Sequence, residues 1–244
     1  MKRTVLVAAA VLGAITLPAI SHAEDNPLSF NVSLTSDYRY RGISQSRLRP
    51  ALQGGIDYAL PAGFYVGAWA STIKWIKDIP GGGGGVEIDL YGGLKGEITK
   101  ELTYDVGLLT YQYPSNKLTP SANTTELYGA LSFGPATVKY SHAVTNTFAN
   151  ADSKNSFYLE AVASFDVGGG VTLAPHVGYQ KIKGPNQTVG SYTDYSLTAS
   201  VDLSGFIVSA AIVGTNADKV FYSSPVNGKE LGKPGLVLAV KKTF

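Results

Sequence analysis

Apolar and polar side chains alternate along most of this chain with a period of two. From Leu28 onward, Leu28, Phe30, Val32, Leu34, Tyr38 and Tyr40 share one parity, while Ser29, Asn31, Ser33, Thr35, Asp37, Arg39 and Arg41 share the other. In an extended strand, successive side chains point to opposite faces, so this stretch predicts one apolar and one polar face. A polar break over 42–50 follows, and then Leu52, Gly54, Ile56, Tyr58 and Leu60 alternate with Gln53, Gly55, Asp57 and Ala59 up to Pro61. The two segments predict an amphipathic hairpin.

The pattern recurs over 64–73, 86–96, 102–113, 126–133, 136–144, 157–165, 171–180, 193–201, 206–213 and 235–244, making twelve strands in all. Parity is ambiguous in two places. On the third strand Tyr65 and Trp69 compete with Phe64 and Val66 for the apolar face, and on the fifth Leu108-Leu109 permits a bulge that switches faces.

The connections sort by length. Short ones at 61–63, 97–101, 134–135, 166–170 and 202–205 interleave with long ones at 42–50, 74–85, 114–125, 145–156, 181–192 and 214–234. Five short turns and six long loops in strict alternation give the two ends of a sheet different surroundings. An even number of strands, tight turns at one end and long loops at the other describe an all-β, up-and-down antiparallel transmembrane barrel of the bacterial outer membrane, with both termini in the periplasm. Closure also removes the unpaired edges that lipid does not tolerate. Strands about 4.8 Å apart and tilted by about 40° give a circumference of about 75 Å and a backbone diameter of about 24 Å.

Composition agrees. Charged residues are 16% of the chain, and it contains 28 Gly, 15 Tyr and no Cys, which suits an aromatic-rich β protein and excludes disulfide, zinc-finger and Cys-nucleophile chemistry. The start of the chain reads as a secretory leader: Lys2 and Arg3, an apolar run over 4–20, and Ser21-His22-Ala23 as a cleavage site. Residues 1–23 are expected to be removed, leaving 24–244 as a single barrel domain. Loss of Lys2 and Arg3 turns 20 basic and 18 acidic residues into 18 and 18. A neutral mature chain implies no nucleic-acid partner.

The run Ser36-Asp37-Tyr38-Arg39-Tyr40-Arg41-Gly42-Ile43-Ser44-Gln45-Ser46, with Pro50-Ala51-Leu52-Gln53-Gly54-Gly55-Ile56-Asp57-Tyr58 after it, resembles the opening hairpin of the TorF-type porins. Tyr111-Gln112-Tyr113-Pro114 resembles a second, weaker signature of that family. The resemblance implies an outer-membrane channel. The final strand, ending in Phe244, resembles the signal by which the barrel-assembly machinery recognises such proteins.

Catalytic chemistry finds little purchase. His142 falls on the apolar parity near the external rim, so no Ser–His–acid relay is expected there. His176 is expected in the lumen beside Pro175, with no second His or Cys near it and hence no metal. The glycines over 81–85 lack the Lys-Ser/Thr and the helix that a phosphate loop requires. No cofactor is expected. The polar parity instead supplies pore-lining candidates: Asp37, Arg39 and Arg41 near the external mouth, and Asp57, Glu87, Asp89, Lys95, Asp105, Glu126 and Glu160 along the wall. Arginines facing carboxylates across the bore would filter small polar solutes or ions by size and transverse field. An internal salt-bridge network is the structural counterpart of that reading. Tyr38, Tyr40, Tyr58 and Phe244 are expected outside as interfacial aromatics, with Tyr38 over Gly54. Passive transport is the expected function. The alternatives are a membrane enzyme on the same scaffold, or a closed structural or adhesive barrel that displays its loops.

Overall fold

The computed structural model describes residues 26–244, so the expected leader at 1–23 lies outside the described residues. Twelve antiparallel strands close into one barrel: β1 (Leu28–Thr35), β2 (Ala51–Ala59), β3 (Phe64–Thr72), β4 (Val86–Glu97), β5 (Leu102–Gln112), β6 (Thr124–Phe133), β7 (Ala136–Ala143), β8 (Phe157–Ala163, resuming at Phe165–Asp166), β9 (Val171–Lys181), β10 (Tyr192–Leu203), β11 (Phe206–Thr215) and β12 (Gly235–Thr243). Each pairs with its neighbours in sequence, and β1 pairs with β12 from Asn31↔Thr243 to Thr35↔Ala239. At the lower end of this seam Phe244 N donates to Phe30 O at 2.8 Å and Phe30 N to Phe244 O at 3.2 Å. Short turns and long loops alternate as expected, and we number the long ones L1 to L6 from 36–50 to 216–234.

The outer face is continuous hydrocarbon. Phe30, Val32, Leu34, Leu52, Ile56, Val66, Leu90, Val106, Leu127, Val138, Leu159, Val177, Leu197, Ile212, Leu236 and Leu238 are all exposed. An exposed apolar surface of that extent has no stable contact with water and calls for lipid. Tyr58, Phe64, Phe133, Phe165, Phe206 and Phe244 ring the short-turn end, and Tyr140, Tyr179 and Tyr195 ring the loop end. Phe157 joins the upper ring, 5.5 Å from Tyr140 and 6.1 Å from Tyr179 between ring centroids. Among the described residues no helix is long and apolar enough to cross a membrane.

The register resolves both ambiguous strands. Trp69 pairs with Gly55 and Tyr65 with Gly93, so both aromatics face inward, while Phe64 and Val66 are exposed outside. On β5 no face switch occurs: Leu109 is buried inside, and Leu108 is exposed.

The interior wall differs from side to side. Around β2–β6, luminal aromatics oppose luminal glycines in the register pairs Gly55↔Trp69, Tyr65↔Gly93, Gly67↔Tyr91 and Gly107↔Tyr128. A Cβ on Gly67 or Gly107 would strike the ring of Tyr91 or Tyr128, so the missing side chain is what lets each ring lie across the neighbouring strand. Around β10–β12 and β1 most luminal positions carry small groups, Ser196, Thr198, Ser200, Ser209, Ala211, Ala239, Ser33 and Thr35 among them, with Lys241 and Asp194 as charged exceptions.

The main departure from the expected fold is in the first hairpin. Alternation predicts β1 continuing to Arg41, but the strand ends at Thr35. Ser36 turns the chain: its N–H reaches Leu238 O at 2.8 Å, and its Oγ accepts the Leu238 N–H at 2.9 Å. L1 then folds inward. Tyr38, expected on the lipid face over Gly54, is 3% exposed and lies inside, and Tyr40 is inside with it. Val32 takes the place opposite Gly54.

Candidate functional site: a loop across the bore

L1 is a compact wedge built around one carboxylate. Asp37 accepts hydrogen bonds from Arg39 Nε at 2.5 Å, Ser44 Oγ at 2.5 Å and Ser46 Oγ at 3.1 Å. A two-rung ribbon, Arg39–Tyr40 against Ile43–Ser44, folds back through Arg41 and Gly42, both at positive φ (46° and 78°). A Cβ on Gly42 would meet Thr215 and would lie 2.8 Å from Asp194 Cβ, so the tip rests directly on β10 and β11. Glycine answers both demands, the left-handed backbone and the close approach.

From that tip, side chains reach walls on opposite sides. Tyr38 donates to Glu87 Oε1 on β4 at 2.8 Å, and its ring packs edge-on against Trp69 on β3 at 5.4 Å. Tyr40 donates to the Tyr111 hydroxyl at 2.6 Å, and Tyr111 donates onward to Glu126 at 3.3 Å. Arg41 completes the crossing. One guanidinium nitrogen pairs with Glu126 Oε2 on β6 at 2.7 Å and another donates to Gln180 Oε1 on β9 at 2.5 Å. The guanidinium also lies over the rings of Tyr158, at 4.3 Å, and Tyr40, at 4.8 Å. Arg41 is 7% exposed, Glu126 1%.

Other loops hold the wedge from above. Arg39 Nη1 donates to Leu231 O and Lys233 O of L6, each at 3.1 Å. Ser44 N donates to Leu231 O at 3.0 Å, and the N–H groups of Lys74 and Trp75 in L2 donate to Gln45 O at 2.8 and 3.2 Å. Arg47 forks onto Asp78 of L2, with Nε to Oδ2 at 2.6 Å. That hydrogen bond raises the guanidinium further above its ordinary pKa. In L6, burial pushes the Tyr222 phenol up.

The remaining wall candidates divide by depth. Glu87, Asp89 and Glu126 lie in the outer half beside L1, Glu160 lies midway on β8, and Asp57, Lys95 and Asp105 lie toward the short-turn end. Asp57 accepts from Tyr91 and Asp105 from Tyr65, each at 2.6 Å. Lys95 and Asp105 oppose each other in register, as do Lys139 and Glu160. Two groups outside the expected set join the site: Gln180, which receives Arg41, and Asp194 on the inward parity of β10. Asp194 accepts from the Tyr158 hydroxyl at 3.0 Å. His176 sits between carboxylates, with Nε2 3.1 Å from Glu160 and Nδ1 3.6 Å from Asp194. Among the described residues no set of three His, Cys, Asp or Glu side chains is arranged to hold a metal ion.

The expected division into a basic and an acidic wall is not how the arginines stand. Arg39 neutralises Asp37 within its own loop, and Arg41 crosses the bore instead of lining one side. His142 is at the outer rim, where Tyr140 and Asn155 take its two ring nitrogens at 3.1 and 3.2 Å. Phe157, with Leu127 on the other side, stands opposite it in register.

A closed antiparallel barrel with a lipid-facing apolar band, two aromatic rings and a polar interior crossed by a loop defines a β-barrel of the outer-membrane type. Residues 21–244 match the family described as "Bacterial protein of unknown function (Gcw_chp)", and the chain belongs to that family. No curated protein matches the sequence. Among solved structures, the fold is similar to the NanC porin, with a TM-score of 0.56 and 9% identity over 88% of this chain and 98% of that one. It is also similar to the KdgM porin, with a TM-score of 0.54 and 7% identity over 89% and 97% of the two chains. The KdgM porin in complex with disordered oligogalacturonate gives 0.54 and 8%, over 89% and 98%.

Proposed function

We propose that the chain is an outer-membrane channel for passive diffusion of small polar solutes or ions, a porin of the TorF type, with L1 as its constriction. The observation that carries this reading is L1 itself. A polar loop crosses the interior and is held to the walls by side-chain hydrogen bonds and ring contacts, so the crossing segment can be displaced without disturbing the strand ladder. A purely structural barrel of this size would gain more by filling its interior with apolar side chains than with carboxylates. In this reading residues 1–23 direct export, the termini lie in the periplasm, and the strand ending at Phe244 is presented to the barrel-assembly machinery.

An enzyme on the same scaffold is the less favoured reading. Ser196 faces His176 in register, but both ring nitrogens of His176 point to carboxylates, leaving neither to take a proton from a serine. KdgM is described with an acidic oligosaccharide. The luminal strands here carry Asp57, Glu87, Asp89, Asp105, Glu126, Glu160 and Asp194, a poor lining for such a chain.

Planar-bilayer recording tests the proposal. Purified protein should give conductance steps smaller than an open twelve-stranded bore allows, and deletion of residues 38–47 should enlarge them. Silent membranes with both proteins would remove the channel.

A further inference from the structure

Asp89 is a luminal carboxylate to which the interior network of the described residues brings neither a hydrogen bond nor an ion pair. It faces inward from the upper half of β4 and is 3% exposed, and its Oδ1 has no hydrogen-bond partner among the described residues. The charged neighbours that act on it are carboxylates, Glu87 and Glu126. Glu126 is taken by Arg41, and Glu87 accepts from the hydroxyl of Tyr38, which brings no charge, while its Oε2 has no partner among the described residues. Among the described residues neither Asp89 nor Glu87 forms an ion pair. A buried carboxyl that is neither paired nor fully hydrogen-bonded bears its charge only at high cost, so it either holds a proton or gives it up to a cation that enters beside it.

The surroundings indicate which kind. In register, Asp89 stands between Trp69 on β3 and Tyr111 on β5, both luminal, with Tyr38 packed against Trp69 from above. A carboxylate with aromatic side chains on both neighbouring strands is the pairing that recognises organic ammonium and guanidinium groups, through charge and ring quadrupoles together. A bare metal ion is a worse fit, since the surrounding donors are chiefly phenols and an indole.

We propose that Asp89, with Glu87, Trp69 and Tyr111, forms a binding site for the cationic head of a small organic amine, and that Tyr38 of L1 covers this site when it is empty. The proposal rests on the channel reading for the route by which an amine arrives, but its test does not. Full-length mature protein in detergent is titrated with n-butylammonium chloride at constant ionic strength, and tryptophan emission is followed. n-Butanol, the same alkyl chain without the charge, serves as the comparison. A saturable change is expected with the ammonium and none with the alcohol, and Asp89→Asn should weaken binding at least tenfold. An occupant of this site must touch Trp69, so unchanged wild-type emission overturns the proposal. Equal responses to ammonium and alcohol overturn it too, and need no variant to fold. If Asp89→Asn folds and binds as wild type, the site is elsewhere and the proposal fails. Binding by a protein that never conducts would refute the channel and leave the site standing.

Discussion

Replacing Arg41 by Ala tests whether L1 is a removable constriction. The substitution deletes a 2.7 Å ion pair to Glu126, a 2.5 Å hydrogen bond to Gln180, and ring contacts at 4.3 and 4.8 Å to Tyr158 and Tyr40. Hydrogen bonds to charged groups contribute about 1.5–3 kcal/mol each, and cation–ring contacts about 0.5–1 kcal/mol when exposed, rising to about 2 kcal/mol when desolvated. These terms are not additive, because Glu126 regains water once the loop lifts. A net loss of about 3–5 kcal/mol is therefore expected, in line with breaking a buried pair by removing one partner. At about 1.4 kcal/mol per tenfold, the ratio of lifted to seated loop rises by roughly two to three and a half powers of ten. Even a wild-type loop lifted only about 1% of the time would then be mostly out of the bore. The assay is single-channel recording, read as occupancy of the larger conductance level, with heat-modifiable gel mobility confirming a folded barrel. Arg41→Lys, a single ammonium that cannot fork to both Glu126 and Gln180, should fall between. An Arg41→Ala barrel that is folded and gives the wild-type conductance histogram would show that the crossing does not limit flow.

Gly42→Ala places a side chain at φ 78° against Thr215 and Asp194, at a strain of about 1–2 kcal/mol, and should raise the larger level modestly in the same recordings. Gly67→Val would drive the Tyr91 ring off its neighbour and break its 2.6 Å bond to Asp57; the expected cost is about 1–3 kcal/mol, read as a lower midpoint in urea unfolding from vesicles. Leu238→Arg puts a charge on the lipid face and should cost about 2–4 kcal/mol in the same assay, whereas Ser209→Lys on the luminal face of β11 should cost far less. Removing Phe244 deletes both hydrogen bonds to Phe30 at the seam, and insertion into vesicles in the presence of the assembly machinery should slow; unchanged kinetics would separate the terminal aromatic from recognition.

Period two carries the barrel because it reports which residues share a face, and lipid demands the same face from every strand. It does not report what lies beyond each face. Tyr38 and Tyr40 keep the parity of Leu34 whether they meet lipid or the aromatic lining of a bore, so alternation alone extends β1 six residues too far. A signal was present in Ser36, a polar residue on the apolar parity, where the chain does turn inward. The luminal placement of Trp69 and Tyr65 was unreadable from their own strand, because what admits them is the glycine opposite, on β2 and β4. Gln180 carries no charge to attract notice, and its role depends on an arginine 139 residues away in the chain.

The uneven wall bears on the passage proposed above. Most of the rings and carboxylates stand on the β2–β6 side, whereas the β10–β12 side carries mainly short hydroxyl and methyl groups beside Asp194 and Lys241. In the proposed channel a solute would therefore meet charge and aromatic surface chiefly on one side and short hydroxyls chiefly on the other.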